Sequence, residues 1–202
     1  EKPVSVDRSA GDVHVYGNPH IQTSPINAAV IARNIATGLC KVDPQGCEVY
    51  RANLADFNGR IARRLYGERL IELLDVETLH SLARSGRLVP FLEERGLGGE
   101  IGGWLAEAMP FRGRKLVCYH KNWIYFVRLF GLVEAGTIEP KPGIPPSPKH
   151  VTELISLMNE RAIRIVLAAN YFDEQKVRSV ASAVGAQPVI VPLYVGGAYG
   201  AD

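Results

Sequence analysis

A chain of 202 residues, 47% of them hydrophobic and 22% charged, has the composition of an ordinary folded protein. Such a chain can bury roughly 70% of its unfolded surface without a metal or a crosslink to hold it together. The formal net charge of +2, with both signs interspersed, offers no electrostatic footprint for nucleic acid, and no apolar run is long enough to insert into a bilayer.

The opening Glu1-Lys2-Pro3-Val4-Ser5 has neither the basic nor the apolar region of a signal peptide, and residues 1 to 16 read as an extended loop. Gly17-Asn18-Pro19-His20-Ile21-Gln22-Thr23-Ser24-Pro25 is a glycine and proline turn that ends at a helix start and holds one imidazole in place. Ser24 can cap that helix and Pro25 suits its first turn, where the missing N–H costs nothing. Ile26, Val30, Ile31, Asn34 and Ile35 then keep helical spacing up to Gly38. His14 reads first as an exposed loop residue and second as a further metal ligand.

Cys40 and Cys47 bracket the turn Lys41-Val42-Asp43-Pro44-Gln45-Gly46, where a disulfide could join one helix end to the next helix start. On the loop-entropy argument it would contribute about 2.5 kcal/mol, and it would belong to an oxidising compartment. The other reading is two free thiols in a loop. Cys118, between Val117 and Tyr119, reads as a packed core thiol.

Tyr50, Leu54, Phe57, Ile61 and Leu65, with Arg51, Asp56, Arg60, Arg63 and Arg64 between them, predict one amphipathic helix from about Glu48 to Leu65, about 27 Å long. Residues 67 to 110 read as short helices: one after Asp75, one from Leu88 to Arg95 and one from Trp104 to Met109. Gly96-Leu97-Gly98-Gly99-Glu100-Ile101-Gly102-Gly103 is not a phosphate loop, since no strand precedes it and no Gly-Lys-Ser/Thr follows. It reads as a flexible linker, and His80 reads as a solvated or capping side chain.

From Lys115 the pattern alternates. Strands are predicted at Lys115–His120, Val133–Glu139, Ile165–Ala169 and Pro188–Leu193. Helices follow at Trp123–Phe130, after Ser147-Pro148, and from Asp173 to Gly185. Strands apolar throughout and separated by helices imply an α/β fold, a parallel Rossmann-like sheet flanked by helices, whose ligand loops lie at the carboxyl strand ends. His120 is at such an end. With His20 it makes two imidazoles at the mouths of regular elements, which suggests a metal site.

The pieces Gly17-Asn18-Pro19-His20 with Ser24-Pro25-x-Asn27, Tyr119-His120-x-x-Trp123, Glu139-Pro140 and Pro146-Ser147-Pro148 resemble, in order and spacing, the substrate-binding proteins of zinc and manganese ABC importers. The resemblance covers nearly the whole chain. It implies two α/β lobes joined by a long connecting helix, here the 48–65 helix, and a metal held between the lobes by three histidines or two plus a carboxylate. His20 and His120 then match the second and third ligands. It divides the chain into a loop with the first recognised metal histidine (1–23), a helical region with the connecting helix (24–110) and a carboxyl-terminal α/β lobe (111–202).

The resemblance also implies a first lobe with its own histidine, which nothing before Glu1 can supply, and a final helix after Gly196-Gly197-Ala198-Tyr199-Gly200-Ala201-Asp202. The metal site is therefore expected to be incomplete in this sequence, with His14 and Asp202 as additional candidates. A histidine third ligand goes with zinc, and manganese is the second choice, because imidazole suits zinc and carboxylate oxygen suits manganese. Binding through neutral imidazoles should weaken as pH falls, since protons compete for the same lone pairs.

The implied protein is periplasmic or extracellular, with any membrane anchor in a segment outside this sequence. Its partners are a divalent metal ion and the membrane permease of an ABC importer. A metal-free interaction or regulatory domain is one alternative, and a small metallohydrolase or nucleotide-sugar enzyme is another. Against an enzyme, the sequence has no Ser/His/Asp arrangement, no HExxH and no acid paired with either histidine.

Overall fold

The computed structural model describes residues 17–141 and 143–193. His14 and Asp202, the extended reading of residues 1 to 16, and the segment after the last strand lie outside these. The chain divides into two compact units, the described parts of 1–20, 113–127 and 132–202 forming one and residues 21–112 and 128–131 the other.

The second unit is helical. After a 3-10 turn at Ile21–Thr23, helix α1 runs Pro25–Val42 and α2 runs Cys47–Tyr66, the latter about 30 Å long. Ser24 stands at the N-cap of α1, but its side chain makes no capping bond there; Pro25 alone shapes the start. Helix α1 continues four residues past Gly38, and Ile35, expected on its inner face, is 57% exposed. Ile26, Ala29 and Ala36 form the buried stripe instead.

The Cys40–Cys47 disulfide closes the turn between the two helices. Asp43 completes it, accepting the Tyr50 hydroxyl at 2.6 Å and the Gly46 amide at 3.2 Å. These bonds hold the Asp43 carboxyl below the usual aspartate range, the tyrosine contact first.

Shorter helices follow: α3 (Glu68–Leu73), α4 (Val76–Arg84), α5 (Leu88–Glu94) and α6 (Gly103–Ala108). Asp75 caps α4 by accepting the Thr78 amide at 2.9 Å. The glycine-rich stretch read as a flexible linker is a close crossing. The Gly102 amide donates to Tyr66 O at 2.9 Å, and a Cβ on Gly102 would lie 2.9 Å from the Gly67 Cα. Glycine is required there because two backbones meet without room for side chains.

His80 also departs from its sequence reading. It is 4% exposed, buried rather than solvated, with its ring 5.6 Å from that of Tyr66. Leu79 and Ala83, buried beside it on α4, explain why: the helix turns this face into the core.

The first unit holds a four-stranded sheet of β1 (Lys115–Cys118), β2 (Val133–Thr137), β3 (Ile165–Ala169) and β4 (Gln187–Val191), in the order β2-β1-β3-β4. Every pairing is parallel. Helix α7 (Ile124–Leu129) follows β1, and α8 (Pro148–Glu160) and α9 (Glu174–Ala183) follow β2 and β3. Alternate residues of the central strands serve opposite faces. Val117, Tyr119, Val166 and Ala168 pack with Leu154, Met158 and Val177. Leu116, Cys118, Leu167 and Ala169 pack with Trp123 and Val127. A sheet covered on both faces is what the continuous apolar strands required.

Candidate metal centre

His20 and His120 come together within the first unit. Their ring centroids are 5.5 Å apart at an interplanar angle of 74°, one edge facing the other plane. Each ring is placed by a different device.

His20 is set by the Asn18-Pro19-His20 turn. Asn18 Oδ1 accepts the His20 amide at 2.9 Å, the turn in which an asparagine side chain mimics backbone, and lies 2.8 Å from His20 Nδ1. The same asparagine fastens the turn to residues a hundred positions away. Its Nδ2 donates to Lys121 O at 2.6 Å, and the Tyr125 hydroxyl donates to Asn18 O at 2.7 Å. Both partners lie in the segment that follows His120, so the clamp brings the two imidazoles side by side.

His120 stands two residues beyond β1, at the carboxyl edge of the sheet. Its Nδ1 is 3.2 Å from Glu139 Oε2, and both side chains are 13% exposed. The approach is off the alignment of an ideal hydrogen bond, and it is an ion pair only when the imidazole is protonated. Glu139 is fixed in turn: its amide donates to Tyr119 O at 2.7 Å, and its Oε1 accepts the Gly143 amide at 2.9 Å.

Phe172 closes the apolar side. Its ring lies 6.1 Å from that of His120 and stacks on Tyr119 at 4.2 Å. Burial, with the Glu139 and Asp173 carboxylates behind it, pushes the Tyr119 hydroxyl above its ordinary range, so it stays protonated. Beyond the Phe172 wall, Asn122 is buried and donates to the Tyr171 hydroxyl at 3.2 Å.

Among the described residues no third histidine, cysteine or acid joins these two rings in a ligand cluster of three or more. Cys118, close in sequence, is fully buried, and burial followed by the nearby Glu134 raises its pKa. It remains a thiol, which is not a ligand form.

Asn18 and Glu139, which the sequence offered only as carriers of the resemblance and without a role, are the residues that contact the two imidazoles. The expectation that no acid pairs with either histidine is corrected by Glu139. Its signal was its place at the end of β2, one strand over from the end that carries His120. The cause is the register. A shift between Leu116 and Val117 moves β2 along by one residue, so that Cys118 faces Thr137. That slip sets Glu139 opposite His120, and no local pattern announces it.

The sequence model of the ZnuA family, described as zinc-uptake complex component A, periplasmic, matches residues 2–64 and 101–201. The chain belongs to that family. Among solved structures, a zinc-bound deletion mutant of ZnuA is 25% identical, covering 89% of this chain and 54% of its own, with a TM-score of 0.60. The laminin-binding protein Lmb of Streptococcus agalactiae, described as having adhesin and metal-transporting activity, is 21% identical, covering 95% of this chain and 59% of its own, with a TM-score of 0.62. The substrate-binding protein FpvC of Pseudomonas aeruginosa, solved with Mn2+, is 19% identical, covering 91% and 56%, with a TM-score of 0.58. The last two carry the fold alone. The chain therefore spans between 54% and 59% of the length of these relatives.

Proposed function

We propose that this chain acts as a periplasmic or extracellular binding protein that captures a divalent transition metal, with zinc the favoured cargo, for delivery to the permease of a membrane ABC importer. The observation that carries the reading is the His20–His120 ring pair at 5.5 Å, held at the carboxyl edge of a parallel sheet. Imidazole nitrogen suits zinc, and a site built on rigid elements suits an ion that must be bound and later released unchanged. His20 and His120 would supply nitrogen ligands, and His14 and Asp202 are the additional candidates.

No chemical step is needed, so the reading is of a binder and not an enzyme. Glu139 does not reverse this. Gly143 holds one of its oxygens, and the other faces His120, so the carboxylate is committed to the histidine and is not poised to activate a water.

Competition titration of zinc and manganese into wild type, His20→Ala and His120→Ala tests the proposal. Zinc should bind more tightly than manganese, and each substitution should weaken zinc binding by at least about 10-fold, the scale of removing support from a metal site. Full zinc affinity in His120→Ala would sink the assignment.

A further inference from the structure

Each imidazole has an acceptor oxygen beside the same ring nitrogen, Nδ1: hydrogen-bonded at 2.8 Å for His20, and facing it at 3.2 Å off ideal alignment for His120. The orientation of the Asn18 amide follows from its partners: Nδ2 faces Lys121 O, which can only accept, so the oxygen is the atom turned toward His20. That oxygen can accept from Nδ1 but cannot donate to it. At His120 the facing atom is a carboxylate oxygen of Glu139, and its negative charge favours a proton on Nδ1. Free imidazole in water prefers the opposite arrangement, with the proton on Nε2.

We propose that Asn18 and Glu139 are positioning residues that lock His20 and His120 in one tautomer, with the proton on Nδ1 and the lone pair on Nε2. The two locks are chemically different. The neutral amide at His20 is part of the clamp to Lys121 and Tyr125, so it sets both tautomer and place. The anion at His120 also makes its imidazole a stronger donor, as an outer carboxylate does for a metal-bound histidine. Both are anchored by backbone: the asparagine turn closes on the His20 amide, and Gly143 and Tyr119 hold the glutamate. The pair of rings thus has its ligand nitrogens chosen before any ion arrives, and the ordering entropy of choosing them is not charged to binding.

The purpose of the lock rests on the metal reading, but its existence is read without metal. Long-range 15N–1H correlation spectra of the metal-free protein, taken above the histidine titration range, report which nitrogen of each ring carries the proton. Wild type should show both rings protonated on Nδ1. Asn18→Ala should release His20 alone, and Glu139→Ala should release His120 alone, each into a mixture of tautomers. Zinc affinity should fall by about 10- to 100-fold in each variant.

Asn18→Ala also removes the clamp and could unfold the turn, so Asn18→Asp is the paired variant. It keeps an acceptor for Nδ1 and loses the donor to Lys121 O, and it should restore the His20 tautomer. A wild-type ring with its proton on Nε2, a mixture of tautomers in the wild type, or unchanged zinc affinity in both alanine variants would overturn the proposal. Wild type with both rings protonated on Nδ1 and no zinc binding would overturn the metal reading and leave the lock standing.

Discussion

His80 is a histidine folded into a core with its Nε2 given no hydrogen-bond partner, beside a Tyr66 hydroxyl in the same condition. Burial lowers its pKa from the ordinary 6.5, outweighing Glu77, which favours the charged ring, while Arg84 and Arg33 add to the lowering. The unfolded chain therefore binds a proton at a higher pH than the folded one. Above about 6.5 neither state is protonated and the residue has no effect on pH dependence. As pH falls below that value, protons favour the unfolded state, and stability drops until the folded ring titrates too. Urea melts from neutral to mildly acidic pH should show this loss, and His80→Phe should reduce the slope. An unchanged slope in His80→Phe would place the acid sensitivity elsewhere. The sequence offered no hint of this role, because a histidine between Leu79 and Ser81 fits either face of a helix until the packing of α4 is known.

Elements were more legible than contacts. The strands were readable because Ile165-Val166-Leu167-Ala168-Ala169 is apolar at every position, which only a sheet covered on both faces requires, and four parallel strands are found there. The long helix was readable from one apolar stripe. Spatial approach was not, since Gly102 and Gly103 carry no periodicity and show their reason only where they cross the end of α2. Gly103 has φ +54°, and a Cβ there would fall on the Arg64 carbonyl oxygen. Gly103→Ala should thus cost more than about 1 kcal/mol, the usual limit of a glycine's entropic penalty, and chemical denaturation measures it. The Cys40–Cys47 bond makes a second prediction at this scale. Reduction should lower stability by about 2.5 kcal/mol, and alkylation should mark both thiols only after reduction. A reduced protein that melts at the same temperature would mean that Asp43, bonded to Tyr50 and Gly46, holds the turn unaided.

For the whole molecule, what matters is how many donors two histidines leave unfilled. Zinc in a structural or binding site takes four ligands in a tetrahedron, and among the described residues no group of three or more histidines, cysteines or acids is arranged to hold a metal ion. Glu139 does not make up the number, because it faces the Nδ1 of His120 and would have to abandon both that ring and Gly143 to reach a metal. The 202-residue chain should then bind zinc in the micromolar range or more weakly, with water in the remaining positions. Each tenfold of affinity is about 1.4 kcal/mol, so a missing nitrogen or carboxylate ligand is readily seen in a titration. Calorimetry on the wild type, His14→Ala and Asp202→Ala decides where the remaining donors come from. Weak binding that neither substitution changes would mean that neither His14 nor Asp202 adds to the shell. Nanomolar binding lost in His14→Ala or Asp202→Ala would instead place a third ligand within this chain and end the two-histidine account of its site.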